Sequence, residues 1–167
     1  MRKLLTHDAA KSLVQSLVSS KVDYCNSLLI NAPAKLVNKL QSVLHAAARI
    51  TAQVPRYEHI TPTLIDLHWL PVQQRIQFKV LLVTFKALHD EAPQYISDLI
   101  ETHKPQRTLR SGDKYLLCVP RSRTRYGDRA FSKAAPLLWN LLPTNIRNAQ
   151  TVGEFKKLLD IFIPRSL

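Results

Sequence analysis

One stretch constrains this chain more than any other. From Leu67 to Ala92 it reads LHWLPVQQRIQFKVLLVTFKALHDEA, and the middle, Val80 to Phe85, is apolar on nearly every side. Ile76, Val80, Val83 and Ala87 recur at spacings of three and four, while Leu81, Phe85 and Leu88 make a second stripe beside them. A helix with two apolar stripes has to be covered on both, so it belongs inside a fold. Lys79 and Lys86 interrupt the run, leaving it far below the roughly 18 uninterrupted apolar residues of a membrane span. Pro71 suits a first helical turn, where its missing N–H is not needed, and Pro93 stops the pattern from continuing. The stretch predicts one long core helix with the rest of the chain packed around it.

The rest of the sequence agrees with a helical protein. At 167 residues a chain is long enough to bury about 70% of the surface its unfolded form exposes. Only three residues are glycine and ten are proline, which favours helices separated by proline over tight β-turns. Ala10, Leu13, Val14, Leu17 and Val18, then Val22, Tyr24, Leu28 and Leu29, read as two helices or one kinked one. After Asn31-Ala32-Pro33, the residues Leu36, Val37, Leu40, Val43, Leu44, Ala47 and Ile50 trace a clear amphipathic helix. Thr61-Pro62 reads as an N-cap and first position of a short helix to Leu67, and a further short helix is expected from Pro93 to Glu101. Near the end, Ala130 to Leu142 returns to helix with Pro136 expected in its first turn. Thr151-Val152-Gly153-Glu154 is a capping box opening a helix with Phe155, Leu158, Leu159 and Phe162 inward. The expected fold is mainly α: a helical bundle over residues 1–101, then a basic segment over 102–167 with one or two short strands and two closing helices, together one compact unit.

Charge points to a partner. Lysine and arginine outnumber acids 24 to 12, for a net charge of +12 and a pI near 10.1. Such a balance is the electrostatic footprint of nucleic-acid binding, or less often of an anionic membrane surface. Residues 102–133 hold nine cations (Lys104, Arg107, Arg110, Lys114, Arg121, Arg123, Arg125, Arg129 and Lys133) against Asp113 and Asp128, so seven of the twelve net charges lie in this segment. Ser111-Gly112-Asp113 and Tyr126-Gly127-Asp128 are turn signals, and Tyr115 to Val119 reads as a strand before Pro120. Arg121, Arg123 and Arg125 alternate with Ser122, Thr124 and Tyr126. In an extended chain the three guanidinium groups share one face at intervals of about 6.6 Å. Arginine suits bidentate phosphate contact, and Tyr115 and Tyr126 are placed to stack on unpaired bases. The plainer readings are a solvated loop whose arginines pair with the chain's own acids, half-buried packing for the tyrosines, and an internal Asp128–Arg129 pair.

No reaction centre is legible. The six histidines (7, 45, 59, 68, 89 and 103) show no metal-ligand spacing, and Cys25 and Cys118 make neither a disulfide framework nor a C-x-x-C site. Cys25, in an apolar helical stretch, is expected to be an inert small hydrophobe. Gly112, Gly127 and Gly153 form no phosphate loop, and Trp69 and Trp139 are expected in the core. The start, MRKLLTHDAA, lacks a secretory pattern and the final Arg165-Ser166-Leu167 is not a peroxisomal address. An intracellular location, nuclear or cytoplasmic, is expected, with no cofactor, metal, membrane or small-molecule substrate.

Three phrases carry a family resemblance: Asp23-Tyr24-Cys25-Asn26-Ser27-Leu28-Leu29; His68-Trp69-Leu70-Pro71-Val72 followed by Arg75-Ile76 and Phe78-Lys79; and Tyr126-Gly127-Asp128-Arg129-Ala130-Phe131-Ser132 leading to Leu138-Trp139-Asn140 and Leu142-Pro143. In this order they resemble the C-terminal part of the reverse transcriptase of LINE-type non-LTR retrotransposons, in the jockey and chicken-repeat branch, across essentially the whole chain. The resemblance implies the helical thumb and post-thumb region, which grips a template and primer duplex. A polymerase palm needs paired aspartates holding two metal ions. This chain has no F/Y-A-D-D phrase, and its one adjacent acid pair, Asp90-Glu91, sits at a predicted helix end. The expectation is a polymerase fragment that is not an enzyme, binding RNA or DNA backbone without sequence preference through Arg107, Arg110, Lys114, Arg121, Arg123, Arg125, Arg129 and Lys133. The alternative is a helical protein-interaction module, or a relic without independent activity, whose apolar faces once packed on the missing palm.

Overall fold

The computed structural model describes residues 6–103 and 115–163. It is mainly helical and, among the described residues, contains no β-sheet. The chain divides between Ile76 and Gln77, inside its long central helix, into two compact units. No helix of the described residues is long and apolar enough to cross a membrane.

The first unit opens with α1 (His7–Val14), capped by the Thr6 hydroxyl, which accepts from the Ala9 N–H at 3.3 Å. A π-helical turn over Gln15–Ser19 joins it to α2 (Ser20–Asp23), so the expected kink is a wide turn within one continuous run. A 3₁₀ turn over Asn26–Leu29 leads to α3 (Ala34–Ala52), against which α1 and the π turn pack. Val37, Leu44, Ala47, Ala48 and Thr51 are the buried side of α3. Its Leu36, Val43 and Ile50, expected inside, are exposed. They lie one position before Val37, Leu44 and Thr51, and a step of one residue turns the side chain by about 100° around the helix.

The central helix is shorter than its sequence pattern. Short α4 (Thr61–Asp66) ends with His68 in the left-handed region at φ 55°, and the Trp69 N–H donates to the Leu64 carbonyl at 2.9 Å. This closing motif turns the chain, so Leu67 to Leu70 are excluded from the helix that follows. Ile60, not Thr61, is the N-cap of α4. The core helix α5 (Val72–Leu88) starts just after Pro71 and closes in the same way, with Asp90 at φ 56° and the Glu91 N–H donating to the Lys86 carbonyl. Ile76, Val80, Leu81, Phe85 and Ala87 of the two stripes are buried, while Val83 and Leu88 are half-buried.

In the second unit, short α6 (Gln94–Ser97) is followed after the basic segment by α7 (Phe131–Asn140), α8 (Thr144–Arg147) and α9 (Val152–Phe162). Its core is an aromatic stack: the Phe155 ring lies 4.4 Å from that of Phe85 and 5.8 Å from that of Trp139. Leu81, Leu117, Leu142, Ile146, Leu159 and Ile163 complete it. The capping box forms, the Thr151 hydroxyl accepting from the Glu154 N–H at 3.2 Å; the Glu154 carboxylate accepts from the Gln150 N–H at 3.0 Å, one residue beyond the expected partner. Phe162, expected inside, is 40% exposed, and Ile163 past the helix end fills that place. Pro136, expected in a first turn, is buried inside α7, which begins at Phe131.

The expected strand at 115–119 is an isolated antiparallel bridge between Thr102 and Leu117. On one side the His103 N–H donates to the Leu116 carbonyl and the Cys118 N–H to the Glu101 carbonyl, both at 2.8 Å. On the other side the Asn140 amide takes the place of a strand, accepting from the Leu117 N–H and donating to the Leu117 carbonyl at 2.9 Å each. Among the described residues the pairing does not extend beyond this bridge.

Candidate nucleic-acid interface

The basic segment after Pro120 is a compact exposed turn, not a strand. Ser122 and Thr124 build it: the Ser122 hydroxyl donates to the Thr124 carbonyl at 3.0 Å and the Thr124 hydroxyl accepts from the Gly127 N–H at 3.0 Å. Short hydroxyl side chains that bond nearby backbone stabilise turns against extended structure, which is why the alternating pattern does not yield a strand. A 3₁₀ turn, Gly127–Arg129, hands the chain to α7. Gly127 is needed for space, since a Cβ there would lie 2.5 Å from the Ser122 hydroxyl oxygen.

Arg121, Arg123 and Arg125 are all exposed, and no ion pair joins any of them to a described carboxylate. The common face at regular intervals expected of a strand is therefore replaced by three cations displayed around a bend. Arg129 is half-buried, its guanidinium 5.5 Å from the centre of the Tyr126 ring. Lys133 is ion-paired to Asp128. The hydrogen bond from Lys133, and a second from Ser122, hold the Asp128 carboxyl below its usual range. Lys133 and Asp128 thus brace the turn where it meets α7. Arg107, Arg110 and Lys114, like Lys104, lie outside the described residues.

All five tyrosines of the chain are exposed, Tyr126 at 82%. Phenylalanine and tryptophan carry the aromatic core instead, so neither Tyr115 nor Tyr126 has the half-buried packing role that tyrosines commonly take. Trp139 is fully buried as expected, and its indole N–H donates to the Tyr115 carbonyl at 2.7 Å. Trp69 is only half-buried.

The phrases that carry the family resemblance turn out to be anchors. Arg75 donates to both carboxylate oxygens of Asp23, at 3.0 and 2.8 Å, and to the Leu70 carbonyl at 2.7 Å, so the first phrase is tied to the second. In the third, Trp139 and Asn140 hold residues 115–117, the support from which the basic turn projects. Sequence reading missed both anchors because each joins residues more than 20 positions apart. Cys25 is not in an apolar helix: it is exposed, at φ 51° between α2 and the 3₁₀ turn. Among the described residues no cluster of three or more His, Cys, Asp or Glu side chains is placed to hold a metal ion. Comparison with protein-family models, curated proteins and solved structures finds no match.

Proposed function

We propose that this chain binds single-stranded RNA or DNA through its phosphate backbone, without strong sequence preference, and that it derives from the thumb and post-thumb region of a LINE-type reverse transcriptase. The observation that carries the reading is the turn of Arg121, Arg123 and Arg125, exposed and unpaired with any described carboxylate on a braced support. A polyanion neutralises such cations at little desolvation cost and releases its own counterions. Tyr126 beside them offers a stacking face. The test is affinity for labelled single strands over a salt series. With about five phosphates neutralised, log K falls against log salt with a slope near −3.5, and the joint change of Arg121, Arg123 and Arg125 to Ala makes it shallower by about two.

A second reading, a helical protein-interaction module, is favoured by one observation in the first unit. Leu36, Leu40, Val43, Ala47 and Ile50 follow the alternating spacing of four and three that suits helix-on-helix packing, and Leu36, Val43 and Ile50 are exposed. Self-association that is abolished by Val43→Glu and leaves nucleic-acid affinity unchanged would favour that reading for this unit.

A further inference from the structure

The second unit holds a cavity of about 250 Å³ beside the anchored segment at residues 115–117. Tyr115 gives it an exposed aromatic wall, buried Trp139 and Leu117 lie at its floor, and His89, Arg147 and Gln150 bring polar groups to it. We propose that this cavity receives one unpaired nucleobase of the strand whose backbone the basic turn contacts. The proposal rests on the reading of the turn as a phosphate-binding site and names what that site recognises besides phosphate.

Size and chemistry both select a planar heterocycle. Pockets for drug-sized ligands start at roughly 300 Å³, so this one accommodates a single ring system. A bare phosphate is a poor fit, because Trp139 and Leu117 would strip its water without replacing it. A base is matched on both of its aspects, its face by the exposed Tyr115 ring and its edge by hydrogen-bonding groups. His89 donates from Nδ1 to the Phe85 carbonyl at 2.9 Å and its ring stacks on Phe85 at 4.0 Å, which fixes the ring and leaves Nε2 for a ligand. Arg147 is the one charged residue among the described buried ones. It is positioned by its own backbone contacts, Nε donating to the Leu142 carbonyl at 3.1 Å.

A second observation concerns the mouth. Tyr115 is 58% exposed and sits at φ 68°, a conformation that L-residues seldom adopt. The Trp139 indole bond to its carbonyl and the Asn140 clamp on Leu117 hold it there. An aromatic residue kept in strained backbone by its surroundings at the lip of a cavity is the pattern expected of a preset ligand contact.

The experiment uses the full chain carrying Trp69→Phe, so that Trp139 is the sole indole, and compares a single-stranded octanucleotide with an abasic strand of equal length and charge. The expected result is saturable quenching of Trp139 emission by the base-containing strand, bound roughly tenfold more tightly than the abasic one. Tyr115→Asn, which removes the ring but tolerates the backbone, brings the two strands to equal affinity, and Tyr115→Phe keeps them apart. Equal affinities with unchanged emission overturn the nucleobase site and leave the phosphate contacts standing. If neither strand binds, the phosphate reading fails instead, and titration with adenosine and uridine monophosphates decides the cavity alone: saturable quenching sustains it and no quenching overturns it.

Discussion

The two units are held together by different physics. The first relies on polar ties placed between helices: the Asp23–Arg75 pair, and a Gln41 amide whose oxygen accepts from the Val72 N–H at 2.8 Å while its nitrogen lies 2.7 Å from His45 Nε2. It leaves Leu13, Leu17, Leu36, Val43 and Ile50 exposed. The second is built around the stack of Phe85, Phe155 and Trp139 and displays Arg121, Arg123 and Arg125, and it too leaves apolar side chains exposed, among them Leu141 and Ile161. The difference lies in what joins the elements: an ion pair and side-chain hydrogen bonds between helices in the first unit, an aromatic stack in the second.

Truncation of the stack breaks the comparison most severely. Phe155→Ala is expected to lower stability by about 3–5 kcal/mol, read by chemical denaturation with Trp139 emission as the probe of the second unit. The next effect comes from the clamp: Asn140→Ala strands the Leu117 N–H and carbonyl and should cost about 1–3 kcal/mol, with faster amide exchange at Leu117 and weaker strand binding because the turn loses its support. In the first unit, Arg75→Ala removes a partly exposed pair and a carbonyl contact. The expected loss is about 1 kcal/mol, with hydrogen exchange faster around α1 to α4 than around α9.

The smallest effect is a pH dependence confined to the first unit. Burial, and then the Arg49 charge, lower the His45 pKa from its ordinary 6.5. The folded state therefore binds fewer protons than the unfolded chain. The contribution is present above pH 6.5 and is lost as pH falls through the lowered folded value. Geometry agrees, because a Gln41 oxygen committed to Val72 turns the amide nitrogen toward His45, which must then accept. Denaturation midpoints between pH 7 and 5 should fall in the parent and fall less in His45→Gln.

What could be read in advance follows from the range of the interaction. The helices α3 and α5 and the Thr151 cap depend on residues a few positions apart and are legible locally, although on α3 the buried side lies one position beyond Leu36, Val43 and Ile50. Helix ends were harder, because Gln53, His68 and Asp90 adopt the left-handed conformation that glycine usually marks, in a chain with only three glycines. The Asn140 clamp and the Arg75–Asp23 tie span 23 and 52 positions and carry no local signal. The extended alternative for Arg121 to Tyr126 stays open in the sequence because alternation looks the same whether Ser122 and Thr124 face solvent or fold back on the backbone. Exposure of its arginines, the feature on which the proposed function depends, is set by which acids the fold brings near them, and that is a long-range property of the chain.

The most direct test is the salt dependence of single-strand binding in the parent and in the Arg121, Arg123 and Arg125 triple alanine variant, with helicity checked by circular dichroism. The account predicts a parent slope near −3.5 and a variant slope shallower by about two, with helicity unchanged. Affinity that ignores salt, or a correctly folded variant that binds as the parent does, would contradict it.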